Sequence, residues 1–338
     1  MESVGMDRFR GRGLVSVSAL ALLVSLAVPF TGDAAIGPEV AYPTKPLRFV
    51  VPYSPGGGGD IMVRMIGAKL TEAWSQPVIV DNRPGGGTVI GTDLVAKAPP
   101  DGYTILLATN THAVNVSLYR KLPFDLLRDF APVTLLATAP NILLANPSLK
   151  TRSLSEFIAL AKSQPGKLNY GSSGKGGTGH LAMEMLKSMA KIDLVHIPYK
   201  GGSPAMNAIL GGEVSVLFNN IIAAVPQVKA GRVWALGVTS RERSRAVPDV
   251  PTIAEGGVRG FEATAWFAVL APKGTPRPII AKVNRELARI LKVPEVGERL
   301  SRQGAEPVGN SPNEFAAVLR SEVSRWKKVI DAAGIVPE

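Results

Sequence analysis

Four consecutive glycines, Gly56–Gly59, constrain this chain more than any other feature. The stretch Val50–Met65, VVPYSPGGGGDIMVRM, reads as a β-strand (Leu47–Pro52) running into a glycine turn and then a helix opened by Asp60. Glycine tolerates φ > 0 and lets a bound group approach bare backbone N–H donors, and a helix N-terminus adds partial positive charge to them. The stretch is therefore a ready anion site. A second stretch, Lys167–Leu186 (KLNYGSSGKGGTGHLAMEML), repeats the build of strand, small-residue loop and helix. Two such cradles in one chain suggest two α/β lobes that grip one acidic ligand between them.

At 338 residues the chain exceeds the usual size of one domain, which favours two lobes. Arg8, Arg10 and Arg12 precede an apolar run, Leu14–Phe30, followed by small residues, which is the layout of a secretory signal with cleavage after Ala34. A retained membrane anchor is the competing reading of that run. With no cysteine, the chain has no disulfide and no thiolate site, and an exported, cysteine-free α/β protein fits a bacterial periplasm. The net charge of +11 serves solubility or the attraction of anionic ligands. Nucleic acid is not expected as a partner, because the basic residues are scattered apart from Arg241, Arg243 and Arg245.

After the first cradle, a helix from Asp60 to Trp74 carries Met62, Met65, Ile66, Leu70 and Ala73 at three- and four-residue spacing, a core-facing stripe. Asp60 has two readings: an N-cap paired with Arg64 one turn on, or a ligand contact for an amino group. Strand Pro77–Val80, helix Thr88–Ala98 and strand Tyr103–Ala108 follow, and this alternation argues for a parallel sheet. Thr109 and Asn110 sit at the carboxyl end of that strand, where open α/β sheets bind ligands. Two short strands, Ala131–Ala137 and Asn141–Ala145, mark the crossing into a second lobe. There the alternation resumes, with polar residues again at strand ends: Tyr199 and Lys200 after one, Asn219 and Asn220 after another. The chain then returns through Val247–Gly260, and the strand Thr264–Leu270 and two or three helices complete the first lobe. The expected organisation is residues 1–34 as signal, 35–140 with 262–338 as lobe 1, and 141–261 as lobe 2. The fold class is α/β, two mainly parallel sheets with flanking helices and a multi-strand hinge that permits closure.

Motifs for catalysis are sought and mostly not found. Gly174–Gly179 matches the dinucleotide pattern GxGxxG, but Asp193 comes before its strand and not at its end, where a ribose-binding acid belongs. The related phosphate-binding loop requires lysine and Ser/Thr where His180 and Leu181 stand. Three histidines, His112, His180 and His196, lack metal-ligand spacing. Ser173 with His180 as base is the one hydrolytic arrangement to consider, though His180 equally opens a helix; His196 lies within an apolar strand and reads as core. No cofactor and no metal are expected. What the loops offer is neutral donors: backbone N–H groups and the hydroxyls of Ser54, Ser172, Ser173 and Thr178.

Five blocks, YPTKPLRFVVPYSPGGGGD, VDNRPGGGTVIGTDLVAKAPPDGYTILLAT, NYGSSGKGGTGHLAMEML, HIPYKGGSPAMNAILGGEV and VPTIAEGGVRGFEATAWFAVLAPKGTP, resemble the tripartite tricarboxylate transporter substrate-receptor family, the Bug receptors. The resemblance runs from about Tyr42 to the C-terminus. It implies a periplasmic, two-lobed "Venus flytrap" receptor, a monomer that captures a small mono-, di- or tricarboxylate, aliphatic or aromatic, and hands it to membrane permease subunits. Carried over by position, it places Tyr53, Ser54, Gly56 and Gly57 at the ligand from lobe 1, with Thr109 and Asn110 nearby. Ser172, Ser173, Gly174, Thr178 and His180 face them from lobe 2, with Tyr199 alongside. Many relatives carry an acid where this chain has Asn219, which turns the expectation away from amino acids. A receptor that signals through a membrane sensor, and an exported serine hydrolase, are the alternatives.

Overall fold

The structure is a computed structural model, which describes residues 41–332; the expected signal, residues 1–34, lies outside them. Strand β1 (Leu47–Val51) leads into helix α1 (Gly58–Trp74), β2 (Val78–Asn82), α2 (Val89–Ala96), β3 (Thr104–Thr109) and α3 (Asn110–Leu118). β1 pairs in parallel with both β2 and β3. The long strand β4 (Phe130–Ala145) then precedes α4 (Leu154–Ser163), β5 (Asn169–Ser172), α5 (Thr178–Ala190), β6 (Val195–Pro198), α6 (Gly202–Gly211), β7 (Val216–Asn220), α7 (Ile221–Lys229) and β8 (Trp234–Val238). β5 pairs in parallel with β6 and β7. The chain closes with β9 (Thr264–Pro272), α8 (Arg277–Leu291), α9 (Pro294–Arg302), β10 (Glu306–Pro307) and α10 (Pro312–Ala332).

Two parallel strand triplets are joined by β9 and β4, which run antiparallel to their neighbours and give the order β2-β1-β3-β9-β4-β7-β5-β6. The architecture is the α/β, two-lobed one the alternation predicts. The sequence pattern divides β4 into two strands, whereas it is one strand that changes partners. Phe130–Pro140 pairs with β9, and Asn141–Ala145 pairs with β7 and β8. Pro140 can donate no ladder hydrogen bond, and the next N–H, that of Asn141, goes instead to the Thr239 hydroxyl at 2.8 Å. The break legible in the sequence is thus the change of partner, within a continuous strand.

Successive residues of β1 point to opposite faces of the sheet. Phe49 and Val51 pack with Met62, Ile66 and Leu70 of α1 and with Val283 and Leu287 of α8. Val50 packs on the other side with Leu106, Trp266, Phe315 and Leu319. Helices on both faces explain why the strands read as continuous apolar runs. A separate cluster under α4 and α5, built on Phe157, Tyr170, Met183, Leu186 and Phe218, forms the core of the second half. Met62, Met65, Ile66 and Leu70 are buried as their spacing predicts, while Ala73 is exposed. Among the described residues no helix is long and apolar enough to cross a membrane.

Candidate functional site

Five helices begin around one small cavity of about 50 Å³. Gly57–Gly59 opens α1, Thr109 and Thr111 stand at the start of α3, Thr178 and Gly179 open α5, Gly202 opens α6, and Asn220 caps α7. Each helix has eight or more residues and presents unpaired N–H groups and the positive end of its dipole. Phe218, Ala265, Trp266 and Phe267 supply an apolar wall. No Asp, Glu, Lys, Arg or His is among the lining residues. The site attracts negative charge through dipoles alone.

Glycine is required here mostly for space. Of Gly56–Gly59 only Gly56 takes a left-handed φ, at 82°. A Cβ on Gly58 would overlap the Asn220 amide oxygen, and one on Gly179 would overlap the Phe218 backbone oxygen. α1 and α5 are therefore able to bring their first turns against β7 because these positions lack side chains.

Two amides complete the site. Asn141 of β4 and Asn220 of β7 are direct partners across the antiparallel pair, and both line the cavity. Asn220 Oδ1 accepts from the Ile222 N–H at 3.1 Å, and Asn141 Oδ1 accepts from the Thr178 hydroxyl at 3.3 Å. Both Nδ2 groups are buried with no hydrogen-bond partner in the chain. A buried amide donor without a partner costs about 1–3 kcal/mol, so a pair of them in one cavity is a standing demand for an acceptor.

Six residues singled out in the sequence line this cavity: Tyr53, Gly57, Thr109, Ser173, Thr178 and Asn219. The Tyr53 hydroxyl shares hydrogen bonds with Thr109 (2.7 Å) and Thr111 (3.1 Å), and burial raises its pKa, which keeps it neutral. Ser54 bridges the cleft, its N–H and hydroxyl both donating to the Lys200 carbonyl at 3.3 and 2.8 Å. Gly56 is beside it, packed against Ser203. Gly174 and Tyr199 line an adjoining cavity of about 240 Å³ that shares Tyr53, Thr111 and Ser173 with the first.

The other four are placed away from the cavity. Asp60 is not the N-cap, because α1 begins two residues earlier. Its carboxylate, 2% exposed, accepts from the Gly56 N–H, Arg64 and Asn82. Burial pushes its pKa up, but these bonds outweigh burial and hold it below the usual carboxylate range. Asn110 accepts from the Trp266 N–H at 2.7 Å and donates to Glu322, tying β9 and α10 to α3. Ser172 is the last residue of β5, wholly buried, and hydrogen-bonds His196 Nε2 at 2.7 Å. His180 accepts from the Gly176 N–H and stacks on His196, ring centroids 4.2 Å apart, and Tyr170 stacks on the same pair at 4.7 Å from His196 and 6.4 Å from His180.

Sequence reasoning missed Asn141 and Thr111, and passed over Asn220 after noting it at a strand end. A lone asparagine in the apolar run TLLATAPNILLA is the signal for Asn141. A buried polar group there demands a partner.

Two α/β halves on crossing strands, with helix starts from both meeting at an ion-free cavity, define a cleft-type solute-binding protein. The family model of the tripartite tricarboxylate transporter family receptor matches residues 62–335, and the chain belongs to that family. It is 37% identical to protein BugT of Bordetella pertussis over 322 residues, 95% of this chain and 99% of BugT. Among solved structures it is similar to Rhodopseudomonas palustris MatC with bound malate (35% identity, TM-score 0.81, 86% of this chain and 100% of MatC). It is also similar to R. palustris Rpa4515 with adipate (38% identity, TM-score 0.85, 88% of this chain and 100% of that one).

Proposed function

We propose that this chain is a periplasmic receptor, not an enzyme, that closes on a small amine-free carboxylate at the five-helix cavity and passes it to membrane permease subunits. The observation that carries this is the pair of orphaned amide donors, Asn141 and Asn220, in a cavity with no ionised side chain. A carboxylate supplies acceptors for both amides and for the helix N–H groups. Each such bond to a charged oxygen contributes about 1.5–3 kcal/mol, so a few of them, less the cost of ordering, support about micromolar affinity. An ammonium group would meet no carboxylate on the lining. That supports amine-free acids over amino acids, and the malate and adipate bound to the two R. palustris proteins point the same way.

In this reading Tyr53, Gly57, Thr109, Ser173, Thr178 and Asn219 contact the ligand with Asn141 and Asn220, and the Ser54–Lys200 bridge holds the cleft shut. The lobes are residues 35–140 with 262–338, and residues 141–261, the boundary falling where β4 changes partners. Residues 1–34 direct export, and the receptor works as a monomer. A hydrolytic role is disfavoured because His180 is engaged with Gly176 and His196, and the serine that does bond a histidine, Ser172, is sealed from the cavity.

Calorimetric titration with mono-, di- and tricarboxylates, aromatic acids, amino acids and nucleotides tests the proposal. Heat and saturation with one class of amine-free acid are expected. Binding of amino acids or nucleotides alone, or turnover of an ester abolished by Ser173→Ala, would overturn it.

A further inference from the structure

A groove of about 1070 Å³ runs along α8, sharing no lining residue with the cleft. Five cations line it, Lys273, Arg277, Arg285, Arg289 and Lys292, and no acid does. All five are exposed. Among the described residues only Arg289 has an ionic partner, Glu286. Elsewhere on this surface some basic residues are neutralised, as in the pairs Arg48–Asp81, Arg64–Asp60, Lys97–Asp93, Lys187–Glu184 and Arg243–Glu255.

The start of α8 is also wired against its own dipole. Arg277 is its first residue, Lys273 stands just before it, and no acid occurs in the first turn. Helices α1, α4, α9 and α10 carry Asp60, Glu156, Glu295 and Glu314 at that place, and α2, α3, α5, α6 and α7 carry no acid there but no lysine or arginine either. Cations at a helix N-terminus are unfavourable, and an anion held in the groove would relieve that cost.

We infer that this groove docks an extended acidic segment of a protein partner. Arg285 and Arg289 are one helical turn apart, about 6 Å along the axis, and side chains on one face of an extended chain recur about every 6.8 Å. From Arg277 to Lys292 the stripe is about 22 Å long, the reach of roughly seven extended residues. Ala131, Ala281 and Ala288 are the small side chains of its lining. A concave site with cations on its walls fits an inserted segment better than a flat anionic bilayer, which would touch the rims alone.

The test is fluorescence anisotropy of a labelled peptide of alternating glutamate and serine, titrated with the purified protein at low and at physiological salt. Binding that weakens steeply with salt is expected. Arg277→Glu with Arg285→Glu should weaken it by about tenfold or more, and Arg277→Gln with Arg285→Gln by less. The control, Arg241→Glu with Arg245→Glu, should change it little, and carboxylate titration of the cleft should be unaltered by either pair. The inference is overturned if the wild-type protein ignores the peptide at low salt, or if the control reversal is as damaging. It is equally overturned if phosphatidylglycerol vesicles bind where the peptide does not.

Discussion

Asn220→Asp separates recognition from architecture within one side chain. Asn220 Oδ1 caps α7 by accepting from Ile222 at 3.1 Å, while Nδ2 has no partner and lies at the cavity. Aspartate keeps the capping oxygen, and its charge at a helix N-terminus is favourable. The folded state without ligand should therefore melt within a few degrees of wild type. What changes is the group facing the ligand, from a donor to a charged acceptor. Losing one hydrogen bond to a charged oxygen costs about 1.5–3 kcal/mol, a factor of roughly 10–150 in affinity. Two carboxylates at about 4 Å add a repulsion of up to about 4 kcal/mol at an effective dielectric of 20. The expected result is at least a tenfold rise in Kd for the acid that binds wild type best, read by calorimetry, with the melting curve of the free protein preserved. Asn141→Asp, which keeps the oxygen that holds Thr178, should behave alike. The double variant should fall short of additivity if both amides hold one ligand oxygen. An affinity unchanged in Asn220→Asp would refute the assignment of the amide pair to the ligand, whatever the carboxylate.

Three further outcomes follow from the geometry. Gly179→Ala drives a Cβ into the backbone oxygen of Phe218, which cannot rotate away, so stability should drop by about 1–3 kcal/mol; Gly58→Ala meets first the Asn220 side chain, so its melting temperature should fall less while ligand affinity falls more. Ser54→Ala removes the 2.8 Å hydroxyl bond to Lys200 and leaves the N–H bond; about 0.5–1.5 kcal/mol of closure free energy is lost, and stopped-flow dissociation should accelerate roughly two- to tenfold. Burial, helped by neighbouring His180, pushes the His196 pKa from 6.5 down to about 4, so the native ring stays neutral where the unfolded one takes up a proton. This stability is intact above pH 6.5 and is lost as pH falls towards 4; His196→Gln should reduce the slope of melting temperature against pH in that window without abolishing it, because buried His112 is displaced the same way.

The alternation of strands and helices was legible because each repeat carries its own local signals: a glycine loop, a helical stripe, an apolar strand. Helix starts were misplaced by one or two residues, and the reason is physical. At Asp60 and His180 the first turn is built of glycine and threonine, poor helix formers that are helical here because close packing on β7 demands small residues. Ser172 is named as a donor from its polar loop, and His180 is placed at the ligand by the family resemblance. The register of β5 and the ring stack with His196 turn them inward, and neither is encoded within the loop. The amide pair was out of reach for another reason. Asn141 and Asn220 are 79 positions apart and meet only through the β4–β7 register, a long-range pairing that no local window contains.

Composition shows an excess of eleven positive charges, and the first inference from such an excess is a basic binding site. Its placement argues for two uses of positive potential. Inside the five-helix cavity it comes from fixed backbone dipoles and neutral amides, which act over a few ångströms, need no counter-ion, and let go of an anion without breaking a buried ion pair. On α8 it comes from mobile guanidinium and ammonium groups in water, which act over about a Debye length and are suited to drawing in a partner before contact. A receptor that must capture a ligand, find a partner and then release the ligand gains from keeping the two apart. A cation on the lining of the five-helix cavity would tighten the first step and slow the last.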